Sequence, residues 1–362
     1  MSRSLAIAFL ACNKNPDRFR DDPSFLYRCD NLAQALAQQG HSAICDHVKR
    51  WHWTEPVDVV VLHRPMLTLP LWRLLLNLRR RGVRVVMDVD DLVFDPGAAS
   101  LSPAVLSHRA SRWWTAWQCK WHQRALMLAD VITTSTEPLQ QALRQLPGLA
   151  HIHTSLIPNA VHCSWRAMGE LPLPAPAAGA PVVRYLPGTR THDRDFAQIQ
   201  EALVTVLRER PNVRLEIVGP LACDLPLPAQ QWRHLPRVPF AAYHELVRSA
   251  HLNLAPLELN RFTRCKSALK VMEAAYWGVP TLCSPIPDTL RLQNAGALVC
   301  EDAAQWRRQL GRLLDDPMLH RQACTGLRPA ILRHADVHHW AQVWLEAVGR
   351  KSRAVHLPVG LT

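Results

Sequence analysis

Ala255-Pro-Leu-Glu258-Leu-Asn260-Arg-Phe-Thr-Arg-Cys265-Lys266-Ser267-Ala-Leu-Lys270-Val-Met-Glu273-Ala-Ala-Tyr-Trp277-Gly278-Val-Pro280 reads as a strand end, a polar loop and a helix, in that order. The apolar run Leu252–Ala255 has strand length, and the pattern from Ser267 to Trp277 predicts a helix. The loop therefore leaves the carboxyl end of a strand and enters the amino end of a helix. Such an end presents free amides and the positive pole of the helix dipole, here beside Lys266, Ser267 and Lys270, which suits a diphosphate. Glu273, about one and a half turns further in, suits the paired hydroxyls of a ribose or sugar. Taken alone, the same residues also read as a solvated lysine face with a serine cap.

Working outward, strand-length apolar runs alternate with helical patterns along the whole chain. In the first half they are Leu5–Leu10, Val57–His63, Val83–Val89 and Val131–Thr134, separated by helices at Phe25–Gln39, Leu69–Arg81 and Ala104–Ala129. Gly40 and Gly82 fall just past two of these helices, where a left-handed cap is needed. The segment 171–181, Leu-Pro-Leu-Pro-Ala-Pro-Ala-Ala-Gly-Ala-Pro, cannot hold a helix and reads as a linker. The alternation then restarts with strands at Val182–Leu186, Arg214–Val218, Leu252–Ala255 and Thr281–Cys283. Helices are expected at Phe196–Glu209, Tyr243–Ser249, Ser267–Trp277 and Ala303–Leu314.

The fold expected is α/β, with two Rossmann-like doubly wound domains facing a central cleft. Residues 1–170 form the first and 182–330 the second. Residues 331–362 supply a helix near Val337–Val348 that packs back on the first domain, followed by a frayed tail. Ligands of such sheets bind at the carboxyl ends of the strands.

Composition narrows the function classes. The chain has 362 residues, 48% hydrophobic and 20% charged, with a formal charge of +12, so it has the make-up of a folded globular protein with a preference for anionic partners. Its 10 cysteines show neither metal-ligand spacing nor a disulfide framework, and a reducing cytoplasm is expected. Arg3 followed by an apolar run ending at Cys12 mimics a signal peptide, but a buried first strand explains it better. No run reaches the ~20 apolar residues of a spanning helix, so any membrane contact is expected to be peripheral, at the inner face of the cytoplasmic membrane. Nucleic acid is not expected as a partner, because no binding motif and no basic segment accompany the charge.

Other segments carry chemistry. Arg184-Tyr-Leu-Pro-Gly188-Thr189-Arg190-Thr191-His192-Asp193-Arg194-Asp195-Phe196 leaves a strand, turns at Gly188 and enters a helix. Gly188 and Thr189 allow close backbone approach, Arg190 and Arg194 suit phosphate oxygens, and Asp195 reads as a helix cap. His63-Arg64-Pro65 and Asp88-Val-Asp90-Asp91 end two strands of the first domain. Their carboxylates either orient an acceptor hydroxyl, pair with Arg64, or mimic a metal-binding acidic pair. Trp113, Trp117 and Trp121 share one helix face with Arg124, as buried core or as a stripe docked at lipid headgroups.

Together these segments resemble glycosyltransferase family 4 and its relatives with the GT-B fold. Glu273-Ala-Ala-Tyr-Trp-Gly278-Val-Pro280 is similar to the second half of the family's donor motif, but Cys265 stands where the family has its first glutamate. A subgroup carries Lys-Ser-x-x-Lys-x-x-Glu, which Lys266 to Glu273 resembles. The Gly188–Phe196 loop is similar to the same subgroup, with Pro187 in place of a serine. His63-Arg64-Pro65, Asp88 to Asp91, Ala129 to Leu139 and Ile157-Pro158-Asn159 follow its order in the first domain. Ser24 to Ala33, with Arg28, resembles the acceptor-side helix, although Asn13-Lys14-Asn15-Pro16 replaces the usual glycine-rich loop.

The resemblance implies a bacterial hexosyl transferase that moves sugar from a nucleotide-diphosphate donor to a glycan or lipid-linked acceptor, as in lipopolysaccharide, O-antigen or capsule synthesis, with retention of configuration. Gly188, Thr189, Arg190, Arg194, Lys266, Ser267, Lys270 and Glu273 are the expected donor site, and Arg28, Arg64, Asp88 and Asp91 the acceptor site. Asp90, His192 and Lys270 are the expected catalytic groups. Neither a metal nor a cofactor beyond the nucleotide-sugar co-substrate is expected. The alternative, suggested by Cys265, is a non-catalytic nucleotide-sugar-binding subunit that supports a partner transferase.

Overall fold

The computed structural model describes residues 3–13, 15–168, 180–188 and 192–349. They fall into two compact units. The first runs to residue 100, resumes over 111–159 and takes in 337–349; the second holds 101–110 and 160–336. Most of the expected linker and the tail after Gly349 lie outside the described residues.

The first unit is a parallel sheet of β1 (Ala6–Ala11), β2 (Ser42–His47), β3 (Val59–His63), β4 (Arg84–Val89), β5 (Val131–Thr134) and β6 (His153–Leu156). Its order is β2-β1-β3-β4-β5-β6. β3, β4 and β5 are buried almost throughout, as expected of central parallel strands led by Val, Leu and Ile, with Asp88, Thr133 and Thr134 buried among them. β2 and β6 escape the sequence pattern because they are half-exposed edge strands with polar residues such as Ser42 and His153. The helix expected at 104–129 is two helices, Pro103–Leu106, which belongs to the second unit, and Arg112–Leu126, which belongs to the first. Ser111 breaks it by capping the second helix, its side chain accepting from the amide of Trp114 at 3.1 Å.

The second unit repeats the architecture with β7 (Val182–Tyr185), β8 (Arg214–Val218), β9 (Trp232–Leu235), β10 (Leu252–Ala255), β11 (Thr281–Cys283) and β12 (Ala297–Val299). The order β12-β11-β10-β7-β8-β9 is that of a doubly wound nucleotide-binding sheet, and its direction reverses between β7 and β10. A charged ladder crosses this sheet at one register. Glu216 on β8 is buried and accepts from Arg184 of β7 at 2.9 Å and Arg233 of β9 at 2.8 Å. An unpaired carboxylate there would be costly, so the two arginines are what allow Glu216 into the sheet.

The first domain was expected to reach residue 170, yet Ala160 to Met168 belong to the second unit. Trp165 explains the correction. It is buried against Phe240, Tyr243, Tyr276 and Trp277 with ring centroids 5.9 to 6.5 Å away, and its carbonyl accepts from the Tyr276 hydroxyl at 3.1 Å. So large an aromatic contact outweighs chain order in assigning the segment.

Candidate functional site

The order of the second sheet reverses between β7 and β10, the point at which doubly wound sheets bind ligands at their strand ends. β8 sets the position of the loop after β7: Gly219, with φ +121°, lies so close to Pro187 that an added Cβ would meet its carbonyl oxygen at 2.4 Å. The loops after β7 and β10 are joined by Asp195. Its buried carboxylate accepts from the amide of Glu258 at 2.8 Å through Oδ1 and faces His192 Nδ1 at 2.7 Å through Oδ2. Asp195 is thus a clasp rather than the helix cap expected of it. It also sets the tautomer of His192, Nδ1–H donating to the carboxylate and Nε2 left as an acceptor.

Lys266, Lys270 and His192 share one electrostatic neighbourhood here. Burial lowers the pKa of Lys270, and Lys266 adds to this, while Glu273 and Asp195 oppose it. Burial likewise lowers that of His192, opposed by the Asp195 hydrogen bond and reinforced by Lys270 and Lys266. The helix begins at Leu269 rather than Ser267, and the amide of Ala268 is taken by Asp288 Oδ2 at 2.7 Å. One donor of the helix end is therefore already committed, and the next amides are those a ligand can use.

The remaining expected donor residues are distributed unevenly. Gly188 is exposed at the end of the β7 loop. Thr189 and Arg190 lie outside the described residues. Arg194 is bidentate to Glu258, at 2.8 and 2.6 Å, so a phosphate must compete for it. Glu273 is buried and accepts from the Tyr243 hydroxyl at 3.0 Å. Cys265, where the resembled family has glutamate, is buried with its thiol toward the carbonyl of Arg261.

In the first unit a polar network stands at the ends of β3 and β4. Arg28 and Asp88, expected to bind an acceptor, are instead buried against each other, at 2.6 and 3.1 Å. Arg28 lies on a π turn, Leu26–Asp30, and also donates to the carbonyl of Ile157 and to Asn159. Asp88 accepts from Thr133 at 2.6 Å as well; burial would raise its pKa, but Arg28 and His63 bring it down to about 2. Asp90 and Asp91 are only partly buried, and Arg64 holds both. Arg64 does so from a left-handed backbone, φ 50°, a conformation that side-chain pairing must stabilise. Among the described residues, no group of three or more His, Cys, Asp or Glu is placed to hold a metal ion.

Residues 190–346 match the model of a family described as glycosyl transferase-like. A sucrose-phosphate synthase from Thermosynechococcus elongatus is similar in structure, with a TM-score of 0.64 and 16% identity over 94% of this chain and 98% of that one. An α,α-trehalose 6-phosphate synthase from Burkholderia multivorans has a TM-score of 0.60 and 12% identity, over 96% and 98%. A TarM mutant from S. aureus, solved in complex with UDP, has a TM-score of 0.56 and 10% identity, over 81% and 55%. Residues 190–346 thus carry a glycosyl transferase-like domain, and the chain shares the two-sheet fold of these synthases. No curated protein matches it in sequence.

The first unit also carries an exposed aromatic surface. Trp113, Trp114 and Trp117 are 82%, 54% and 44% exposed, so the stripe on helix Arg112–Leu126 is not core. Trp114 and Trp117 stack at 4.7 Å, and Arg112 and Arg124 lie over Trp113 and Trp121. Reading the sequence missed the parts played by Asp195, by Glu258 and by Ser24, whose hydroxyl lies 2.9 Å from His63 Nε2 and 2.5 Å from Asp90 Oδ2. Serine and acids near helix starts read as caps, and only the folded loops reveal which other segment they grip.

Proposed function

We propose that this glycosyltransferase holds a nucleotide-diphosphate-sugar at the β7/β10 reversal point of the second unit. From there it passes the hexosyl group to a glycan or lipid-linked acceptor bound by Asp90, Asp91 and Arg64 of the first. The observation that carries this reading is the convergence of Lys266, Lys270, His192 and a helix start at this reversal point. Lys266, Ser267 and Lys270 would stabilise the charge that develops on the leaving diphosphate, without a metal. Glu273 would meet the ribose hydroxyls, His192 would offer Nε2 to a sugar hydroxyl, and Asp90 would accept the acceptor's proton. Retention of configuration and a place in surface-polysaccharide assembly complete the reading.

The exposed tryptophans support a lipid-linked acceptor. Helix Arg112–Leu126 carries four tryptophans, two arginines and a lysine but no acid, which suits an anionic headgroup layer. No helix of the described residues is long and apolar enough to cross a membrane, so contact would be peripheral.

A thermal-shift screen against UDP, GDP, CMP and TDP tests the donor site. Stabilisation by one nucleotide, absent in Lys270→Ala, is expected; no response to any nucleotide refutes the donor assignment. Cys265 favours the second reading, a non-catalytic nucleotide-binding subunit. Under that reading the nucleotide binds, but its sugar is never transferred or hydrolysed.

A further inference from the structure

Hydrogen-bond bookkeeping around His63 gives Asp90 a partner in proton transfer. His63 is fully buried at the end of β3, between Asp88 and Ser24. Asp88 is ionised and already accepts from Arg28 and Thr133, so its 3.0 Å contact with Nδ1 requires a proton on that nitrogen. This fixes the tautomer and turns Nε2 toward Ser24 Oγ, 2.9 Å away. The same Oγ is 2.5 Å from Asp90 Oδ2.

A serine has one proton for these two contacts. If it goes to Asp90, the lone pairs of Nε2 and Oγ face each other. If it goes to Nε2, two oxygens face each other at 2.5 Å. One additional proton satisfies both contacts. The chain from Asp90 through Ser24 to His63 is therefore a single proton short of saturation, and Ser24 and Asp90, both partly exposed, are its opening to solvent.

We propose that Ser24 and His63 form a proton-holding relay behind Asp90, and that it stores the proton released by the acceptor hydroxyl. The proposal rests on the acceptor assignment given above. As the acceptor oxygen bonds to the anomeric carbon on the face that the diphosphate is leaving, which retains configuration, its O–H bond breaks and the proton goes to Asp90. The nucleoside diphosphate leaves with the electron pair of the old bond. Asp90 then donates to Ser24 Oγ, and Ser24 passes its own proton to Nε2, leaving an imidazolium that Asp88 stabilises, much as a carboxylate supports histidine in a hydrolase triad. Ser24 and His63 are positioning residues; only Asp90 meets the substrate.

The charged groups around this chain are Asp88 and Asp90 from β4 and the turn after it, Arg28 across Asp88, Arg64 beside His63, and Asp22 near Arg64. The ring of Phe25 closes the apolar side of His63 with centroids 6.0 Å apart.

The test needs no substrate. In the full-length chain labelled with 15N-histidine, the His63 signals are assigned with His63→Gln, and the pH at which Nε2 gains its proton is read from the shift. Ser24→Ala and Asp90→Asn are each expected to lower that pH by at least one unit, and Ser24→Thr, which keeps the hydroxyl, to restore it. Equal values within 0.3 unit in all the proteins overturn the relay. A fall in Asp90→Asn alone also overturns it, because the charge would then act through space without Ser24. The melting-temperature response to UDP, GDP, CMP and TDP is measured on the same samples. Its loss in every protein would refute the donor assignment and leave the relay result independent.

Discussion

Gly219→Ala tests how the second sheet positions the loop after β7, the proposed donor loop. The glycine has φ +121°, which an alanine adopts only under strain, and the new Cβ would sit 2.4 Å from the carbonyl oxygen of Pro187, where ordinary contact begins near 3.4 Å. Backbone must move by about 1 Å, since a carbonyl cannot rotate away as a side chain does. Strain of this kind costs about 1–2 kcal/mol and overpacking about 1–3 kcal/mol. Together, roughly 3 kcal/mol should lower the melting temperature by about 6–12 °C for a unit of this size. Because Pro187 leads straight into Gly188, the same shift should weaken nucleotide binding by about tenfold or more. Calorimetric unfolding and titration with the stabilising nucleotide read both effects. A variant that melts within 1 °C of wild type and binds equally well refutes the argument that Gly219 fixes the loop.

Other outcomes follow from the same geometry. Asp195→Asn keeps the size but loses the carboxylate that clasps His192 and the Glu258 amide; nucleotide affinity should fall about 5- to 20-fold with a loss of about 1–2 kcal/mol in unfolding free energy, and an unchanged affinity would detach the clasp from the site. His251 stacks on His320 at 3.6 Å, and burial, then His320, lowers its pKa from 6.5 to about 4. The unfolded chain therefore binds this proton first, so stability is complete above pH 6.5 and is lost as pH falls toward 4, by roughly 2 kcal/mol after solvent screening. His251→Phe should flatten the melting-temperature profile across that window, and an identical profile in both proteins refutes the assignment. A diphosphate beside Lys270 should raise its lowered pKa, so binding should take up protons between that lowered value and 10.5. Calorimetry in buffers of different ionisation enthalpy detects this uptake, and its absence places the phosphates elsewhere. Trp113→Ala with Trp117→Ala should cut retention on vesicles containing anionic lipid at least fivefold, whereas equal retention removes the stripe from the membrane reading.

Much of this was legible in the sequence, for reasons that particular elements make plain. Central strands such as Val59–His63 and Arg84–Val89 are buried on both faces, so their apolar runs announce them. Edge strands such as Trp232–Leu235 carry polar residues and leave no such trace. Lys266, Lys270 and His192 sit at strand-to-helix turns, a position readable from local order, which is why they stand out as candidates. What stayed hidden depends on long-range partners. Nothing near Arg28 shows that it will be buried by Asp88, and nothing near Asp195 shows that it will grip the backbone of Glu258, 63 residues away. The tryptophan stripe was ambiguous for a related reason: spacing shows which side chains share a face, and only the packed unit shows whether that face is covered.

The central claim is that the second unit holds the nucleotide. Isothermal titration of the nucleotide chosen by the thermal screen, into wild type, Lys270→Ala and Asp90→Asn, tests it most directly. The account predicts an affinity loss of tenfold or more for Lys270→Ala and a change of less than twofold for Asp90→Asn, whose carboxylate belongs to the first unit. Equal affinities in all three proteins, or a loss confined to Asp90→Asn, would contradict it.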